Sequence, residues 1–221
     1  MSNPANVTPQ LERYYAKRAR EYEAIYEKAE RQDELAWLRT RLPRLSRGRR
    51  VLEVACGTGY WTQFIAMEAA HVTACDINEP VLEIAREKPI PRDKVTFLKA
   101  DAFALEGVPG GCDAAFAGFW WSHVKKAELG RFVGGLAKKL VPGSLVGVLD
   151  NRYVEGSSTP LSRRDAQGNT YQMRPLLTGE MHEVLKNFPT AGELREAVLP
   201  FASEAQLEEV TYYWLLVFRL K

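Results

Sequence analysis

At 221 residues, 46% of them apolar and 26% charged, the chain has the size and composition of one globular α/β domain and is neither fibrous nor disordered. A net charge of +2 argues against a nucleic-acid partner, and the one dense basic run, RLSRGRR, leads straight into an apolar strand and reads as a solvated connector. Cys56, Cys75 and Cys112 have neither disulfide nor zinc spacing and no apolar run could span a bilayer, so a cytoplasmic protein without metal or membrane partner is expected, monomeric or homodimeric.

Thr8-Pro9 supplies an N-cap and a first-turn proline, and Leu11, Tyr14, Tyr15, Tyr22, Ile25 and Tyr26 follow at helical spacing, which predicts one long amphipathic helix to about residue 29. A second helix is expected over 33–42, ended by Pro43. From Val51 short apolar strands alternate with amphipathic helices, the pattern of parallel β-α-β units. The predicted strands are 51–55, 71–76, 94–100, 112–119 and 144–150. Helices are predicted over 60–69, 80–87 (capped by Asn78) and 125–140, the last terminated by Pro142-Gly143.

The polar, turn-rich stretch 151–189 is too long for a connector and reads as an active-site insertion, with a hairpin around Thr178-Gly179. Thr190 and Glu193 form a capping box that opens a last helix, and AQLEEVTYY and WLLVFRLK close the chain as two strand-like runs. The expectation is one domain over 1–221, with a helical cap over 1–45.

The run VLEVACGTGYWT holds a buried strand, an acid at Glu53, and a Gly57-Thr58-Gly59 loop that opens a helix. Glycines at 57 and 59 let backbone turn tightly and approach a ligand, a property that dinucleotide sites share. Two details favour a cationic ligand over a pyrophosphate. Thr62 stands where a third glycine would pack helix on strand, and Glu53 brings a carboxylate that attracts a cation. Asp76 and Asp101 end the next two strands, placed to accept from ribose hydroxyls and from an adenine amine, with the Ala102 amide beside a ring nitrogen. Asp is also a common cap and turn residue, so each acid alone has a local reading.

On these residues the chain resembles the class I S-adenosylmethionine-dependent methyltransferase superfamily, in its small-molecule branch. EVACGTGY is similar to the first motif, Cys75-Asp76-Ile77 to the ribose-binding acid, Ala100-Asp101-Ala102 to the adenine motif, and 117–123 to the fourth motif. The resemblance covers about 51–150 well. It implies a Rossmann-like, mostly parallel seven-stranded sheet with helices on both faces and an antiparallel C-terminal strand pair. It also implies S-adenosyl-L-methionine as cofactor, held by Glu53, Ala55, Gly57, Gly59, Asp76, Ile77, Asp101, Ala102 and Phe119. YYAKRAREY is similar to cap helices whose tyrosines lie over the methionine end, which brings in Tyr14 and Tyr22; a helix packing its aromatics into the core is the other reading.

Beyond the fourth strand, GFWWSHV places Trp120, Trp121 and His123 near the sulfonium, where aromatic faces stabilise a cation and His123 is the candidate general base. The N/D-P-P-Y/F signature for amino methylation in DNA and protein is absent, which disfavours exocyclic amine methylation of a nucleobase; an oxygen or nitrogen of a small metabolite is the expected acceptor, with carbon left open. Asn151, Arg152, Tyr171, Arg174 and His182 are candidate substrate residues; with Arg163, Arg164 and Lys186 they hint at an anionic group, although surface charge explains the same set. A macromolecular acceptor (RNA or protein), a non-catalytic module of this fold and a nicotinamide-dependent oxidoreductase are the alternatives.

Overall fold

The computed structural model describes residues 9–221, so Thr8 and its predicted capping role lie outside the described residues. Strands β1 (Arg50–Val54), β2 (His71–Asp76), β3 (Val95–Lys99), β4 (Cys112–Gly118), β5 (Leu140–Asn151), β9 (Ala202–Glu209) and β10 (Tyr213–Leu220) form one sheet in the order β3-β2-β1-β4-β5-β10-β9. The first five strands are mutually parallel, while β10 runs antiparallel to both β5 and β9. The expected seven-stranded, mostly parallel sheet with an antiparallel C-terminal pair is therefore present. Strand order reverses between β1 and β4, and the crevice at the carboxyl ends of those strands is where an open sheet of this kind receives a ligand.

The central strands are apolar on both faces because helices cover both. Val51, Leu52 and Val54 of β1 are at most 2% exposed. Helices α3 (Thr62–Glu68), α4 (Glu79–Glu87), α5 (Leu129–Ala137) and α6 (Ala191–Val198) alternate with the strands, and α6 opens with the Thr190–Glu193 capping box. Asn78 stands at the N-cap of α4, but its side chain does not cap; its backbone N–H instead donates to Asp76 Oδ1 at 2.9 Å.

Helix α1 (Pro9–Arg18) passes at Ala19 into a 3₁₀ segment that continues to Tyr26, in place of one long α-helix. Four residues span about 40° of an α-helix but about 120° of a 3₁₀ helix, so the tighter winding separates the faces of Tyr22 and Tyr26. Tyr26 stacks on Tyr60 with centroids 3.7 Å apart, leaving Tyr22 to face the crevice. Helix α2 (Gln32–Ser46) runs through Pro43 rather than ending before it, and the Ser46 hydroxyl ties its end to the Pro43 and Ile65 carbonyls. Pro142-Gly143 does not terminate α5. It lies within β5 where the register to β4 shifts between Cys112 and Ala114, a bulge in which proline's missing N–H breaks no ladder bond.

Within 151–189, β6 (Arg163–Arg164), β7 (Thr170–Pro175) and β8 (Met181–Leu185) form a separate antiparallel sheet containing the predicted hairpin. This small sheet and the N-terminal cap approach each other above the crevice, joined by Lys17 and Glu180 at 2.7 Å and by the Leu177 amide donating to Glu21.

Candidate active site

Two cavities share the crevice. The first lies at the carboxyl ends of β1, β2 and β4, where Ala55, Gly57, Asp76, Ile77, Ala102 and Phe119 form its walls, and cap residues Leu11, Glu12, Tyr15 and Tyr22 border it. Ala55 (φ 52°) and Phe119 (φ 58°) are both left-handed, an uncommon conformation outside glycine that turns each chain sharply off its strand at the cavity rim. The two loop glycines do different work. Gly57 (φ 56°) lines the cavity, and a Cβ there would meet nothing within 4 Å; Gly59 (φ 74°) lets α4 approach, because a Cβ there would stand 3.0 Å from that of Ala85.

Asp76 Oδ2 accepts from the Gly57 N–H at 3.0 Å and Oδ1 accepts from that of Asn78. Each oxygen keeps acceptor capacity toward the cavity, and burial raises the carboxyl to about 6. Glu53 is 2% exposed beneath the glycine loop; burial pushes it up to about 8, and its Oε2 has no hydrogen-bond partner. Asp101 does not line the cavity: its Oδ1 accepts from the Phe103 and Ala104 amides in a local turn, while Ala100 and Ala102 on either side face inward.

The second cavity, about 290 Å³, lies between the cap and the insertion and meets the first at Tyr15, Tyr22, Phe119 and His123. Five cations line it: Arg18, Lys28, Arg31, Arg174 and Lys186. Among the described residues no acid does. Arg174 spends two N–H groups on the Gln172 amide oxygen, and Arg18 donates to the Tyr14 hydroxyl. Lys186, buried at the cavity wall, donates to Asp150 Oδ1 at 2.8 Å and to the Ser122 hydroxyl at 2.6 Å. Burial lowers Lys186 to about 8 against the pull of Asp150; burial would raise the Asp150 carboxyl, but the Lys186 ammonium outweighs it and holds the pKa below the ordinary value.

His123, 7% exposed, directs Nδ1 at the Leu185 carbonyl (2.6 Å) and Nε2 at the Tyr15 hydroxyl (2.7 Å). Burial, then the charges of Lys186 and Arg174, hold its pKa well below that of free imidazole, and burial raises the Tyr15 phenol to about 12. Tyrosine and histidine are thus both neutral near pH 7.

Several residues singled out in the sequence stand elsewhere. Trp121 is 1% exposed and packs edge-on against Phe132 and Trp214 in the core; Trp120 lines the first cavity rather than the second. Asn151 and Arg174 do line the second cavity. Arg152 follows Asn151 and points the opposite way, as alternate residues leaving a strand do, donating to the Val210 carbonyl. Tyr171 lies under the Arg163 guanidinium and donates to Asp165, away from both cavities. His182 packs on Tyr14, centroids 5.3 Å apart, near Glu180. Tyr14 borders the second cavity, not the first, and Gly59 and Glu53 sit behind the first cavity's wall. Sequence reasoning missed Tyr15, Arg18, Lys28 and Arg31. Their signal was four groups of the cap segment that α and 3₁₀ winding bring to one face, easily taken for solvated charge.

Residues 51–143 match the model of a methyltransferase domain. The chain is 33% identical over 99 residues to a demethylmenaquinone methyltransferase of Clavibacter sepedonicus, covering 45% of this chain and 40% of that protein. It is 32% identical over 104 residues to the S-adenosyl-L-methionine-dependent Diels-Alderase iccD of Talaromyces variabilis, covering 45% and 35%. The chain thus spans well under half the length of these curated relatives, and the segment it shares with them serves different reactions. Similarity to the solved structure of DhpI in complex with SAH runs the full length: TM-score 0.76 and 25% identity, covering 99% of this chain and 98% of that one.

Proposed function

We propose that the chain is a class I S-adenosylmethionine-dependent methyltransferase that transfers a methyl group to an oxygen or nitrogen of a small anionic metabolite, a reading supported by the methyltransferase-domain match over 51–143 and the full-length likeness to DhpI. The observation that carries this reading is the second cavity, enclosed between cap and insertion, which has five cations and no lining acid among the described residues and opens into the first cavity at Tyr15, Tyr22, Phe119 and His123. No helix among the described residues is long and apolar enough to cross a membrane. We read the chain as one domain acting in the cytoplasm, as monomer or homodimer.

The residues present fit S-adenosyl-L-methionine. Asp76 keeps acceptor capacity for ribose hydroxyls, the missing Cβ of Gly57 leaves open space, and the buried Trp120 Nε1 atom, on a residue of the first cavity's wall, has no partner. When bound, that cofactor supplies an electrophilic methyl group on a sulfonium. The Ala102 backbone would meet the adenine ring, and Phe119 with Tyr22 would exclude water from the junction and offer aromatic faces to a cation. Arg18, Arg174 and Lys186 would orient the metabolite, so that its acceptor atom is held at attack distance rather than encountered by diffusion.

The test is transfer of radiolabelled methyl groups to a cell extract separated into protein, RNA and small-molecule pools. Label is expected in small molecules retained on an anion exchanger. Label confined to protein or RNA, or to unretained molecules, refutes the reading.

A further inference from the structure

The two cavities join at a hydrogen-bond pair whose direction the geometry sets. His123 Nδ1 lies 2.6 Å from the Leu185 carbonyl oxygen, which can only accept, so Nδ1 carries a hydrogen. In a neutral imidazole Nε2 then offers a lone pair, and the Tyr15 hydroxyl, 2.7 Å away, must donate to it. The only hydrogen of the Tyr15 hydroxyl is committed, and its oxygen faces the cavities with lone pairs alone. We propose that Tyr15 is the catalytic residue that meets the methyl-accepting atom, and that it selects an atom still carrying a hydrogen, a hydroxyl or amine distinct from the anionic group. This rests on the anionic-metabolite reading above.

The charged groups around the pair support that polarity. Lys186, just past the end of β8, and Arg174 on β7 act against protonation of His123, while Asp150 on β5, itself paired to Lys186, and the hydrogen bond to the Leu185 carbonyl act for it. Arg18 on α1 and Arg174 bear on Tyr15 in the same sense. An anion seated against Arg174 and Lys186 cancels part of this field, so the imidazole gains basicity when substrate is in place. The proton then has a route. The acceptor's O–H or N–H bond breaks and its proton goes to the Tyr15 oxygen. The Tyr15 O–H bond breaks in turn and its proton goes to His123 Nε2, while the electron pair left on the acceptor would form the new bond to the methyl carbon as that carbon's bond to the sulfonium sulfur breaks, its electron pair leaving on the sulfur of the neutral thioether product. Tyr15 ends neutral, His123 ends as imidazolium, and the imidazolium returns its proton to solvent. His123 acts through Tyr15 and is a positioning residue.

Long-range proton–nitrogen spectra of protein carrying ¹⁵N-histidine test the polarity without turnover. The expected result is His123 as the Nδ1–H tautomer near pH 7, with its Nε2 resonance moved by Tyr15→Phe. Saturating inorganic phosphate should raise the pH at which His123 protonates, and Arg174→Gln should shrink that rise. In label transfer to the anion-retained pool, Tyr15→Phe and His123→Gln should each lower the rate about 100-fold or more, and the double variant no further. An Nε2–H tautomer, an Nε2 resonance indifferent to Tyr15→Phe, or a product methylated on the anionic group itself overturns the proposal. If phosphate leaves the His123 titration unmoved while the tautomer and the Tyr15→Phe shift stand, it is the anionic reading that fails.

Discussion

Replacing Asp76 by Asn probes the cofactor grip, because the change keeps the shape and removes the charge. In the wild type one carboxylate oxygen accepts from the Gly57 amide and the other from the Asn78 amide, both with capacity left for a ribose hydroxyl. An Asn side chain has one accepting oxygen, so one of those amides faces an NH₂ group and loses its partner. A hydrogen bond to a charged group contributes about 1.5–3 kcal/mol and one between neutral groups about 0.5–1.5 kcal/mol. The difference predicts about 1–3 kcal/mol of lost binding, a rise in Kd of roughly 5- to 150-fold for S-adenosylhomocysteine by titration calorimetry. The pH dependence sharpens the test. Burial raises the carboxyl from 3.8 to about 6 in the folded protein. A raised folded pKa contributes stability that is complete below about pH 4 and is lost as pH rises through about 6, ~3 kcal/mol for a gap of this size. Ribose hydroxyls donating to the ionised carboxylate offset that loss. Ligand affinity of the wild type should therefore strengthen from pH 5 to pH 8, and that of the Asn variant should not. A variant with unchanged Kd, or with the same pH slope, would refute the ribose assignment.

The two loop glycines should separate in a paired experiment. Gly59→Ala combines a left-handed backbone with a 3.0 Å approach to Ala85 and should cost about 2–4 kcal/mol, a fall in Tm of about 4–16 °C by calorimetry; Gly57→Ala has the same backbone cost but open space, so about 1–2 kcal/mol of stability is lost while the Kd for S-adenosylhomocysteine rises at least tenfold. Equal effects of the two substitutions on stability and on binding would remove this division of roles. Lys186→Met leaves the Asp150 carboxylate buried without its cation and should destabilise by about 3–5 kcal/mol in urea unfolding, with most of the loss recovered by adding Asp150→Asn. No recovery in the double variant would show that Lys186 stabilises by packing rather than by charge.

The strand–loop–helix start at 50–68 and the alternation that follows were legible in the sequence because each signal is local. An apolar run bounded by turn residues, a glycine where backbone must turn left-handed, and an acid at a strand's end can be recognised without knowing what packs against them. The same locality made Pro43 and Pro142 misleading: α2 runs on for a further turn through Pro43 despite the one helical bond that proline forfeits, and Pro142 falls at a register shift of β5 where no ladder bond is lost.

Composition and pattern by themselves determined the alternating strands and helices of the parallel units, the two closing strand-like runs and the neighbourhood of Gly57 and Asp76, since hydrophobic period and backbone freedom are properties of short stretches of chain; the pairing of those last runs in the sheet came from the family resemblance. Only the tertiary structure decided which charged and aromatic groups face the second cavity. Arg18 and Lys186 are 168 positions apart, neighbouring residues such as Tyr14 and Tyr15 or Asn151 and Arg152 part company, and the polarity of the Tyr15–His123 pair depends on a carbonyl from Leu185 in the insertion. Side-chain direction about a helix or strand turns on one residue of phase, and that phase is set by what each element must bury against its neighbours.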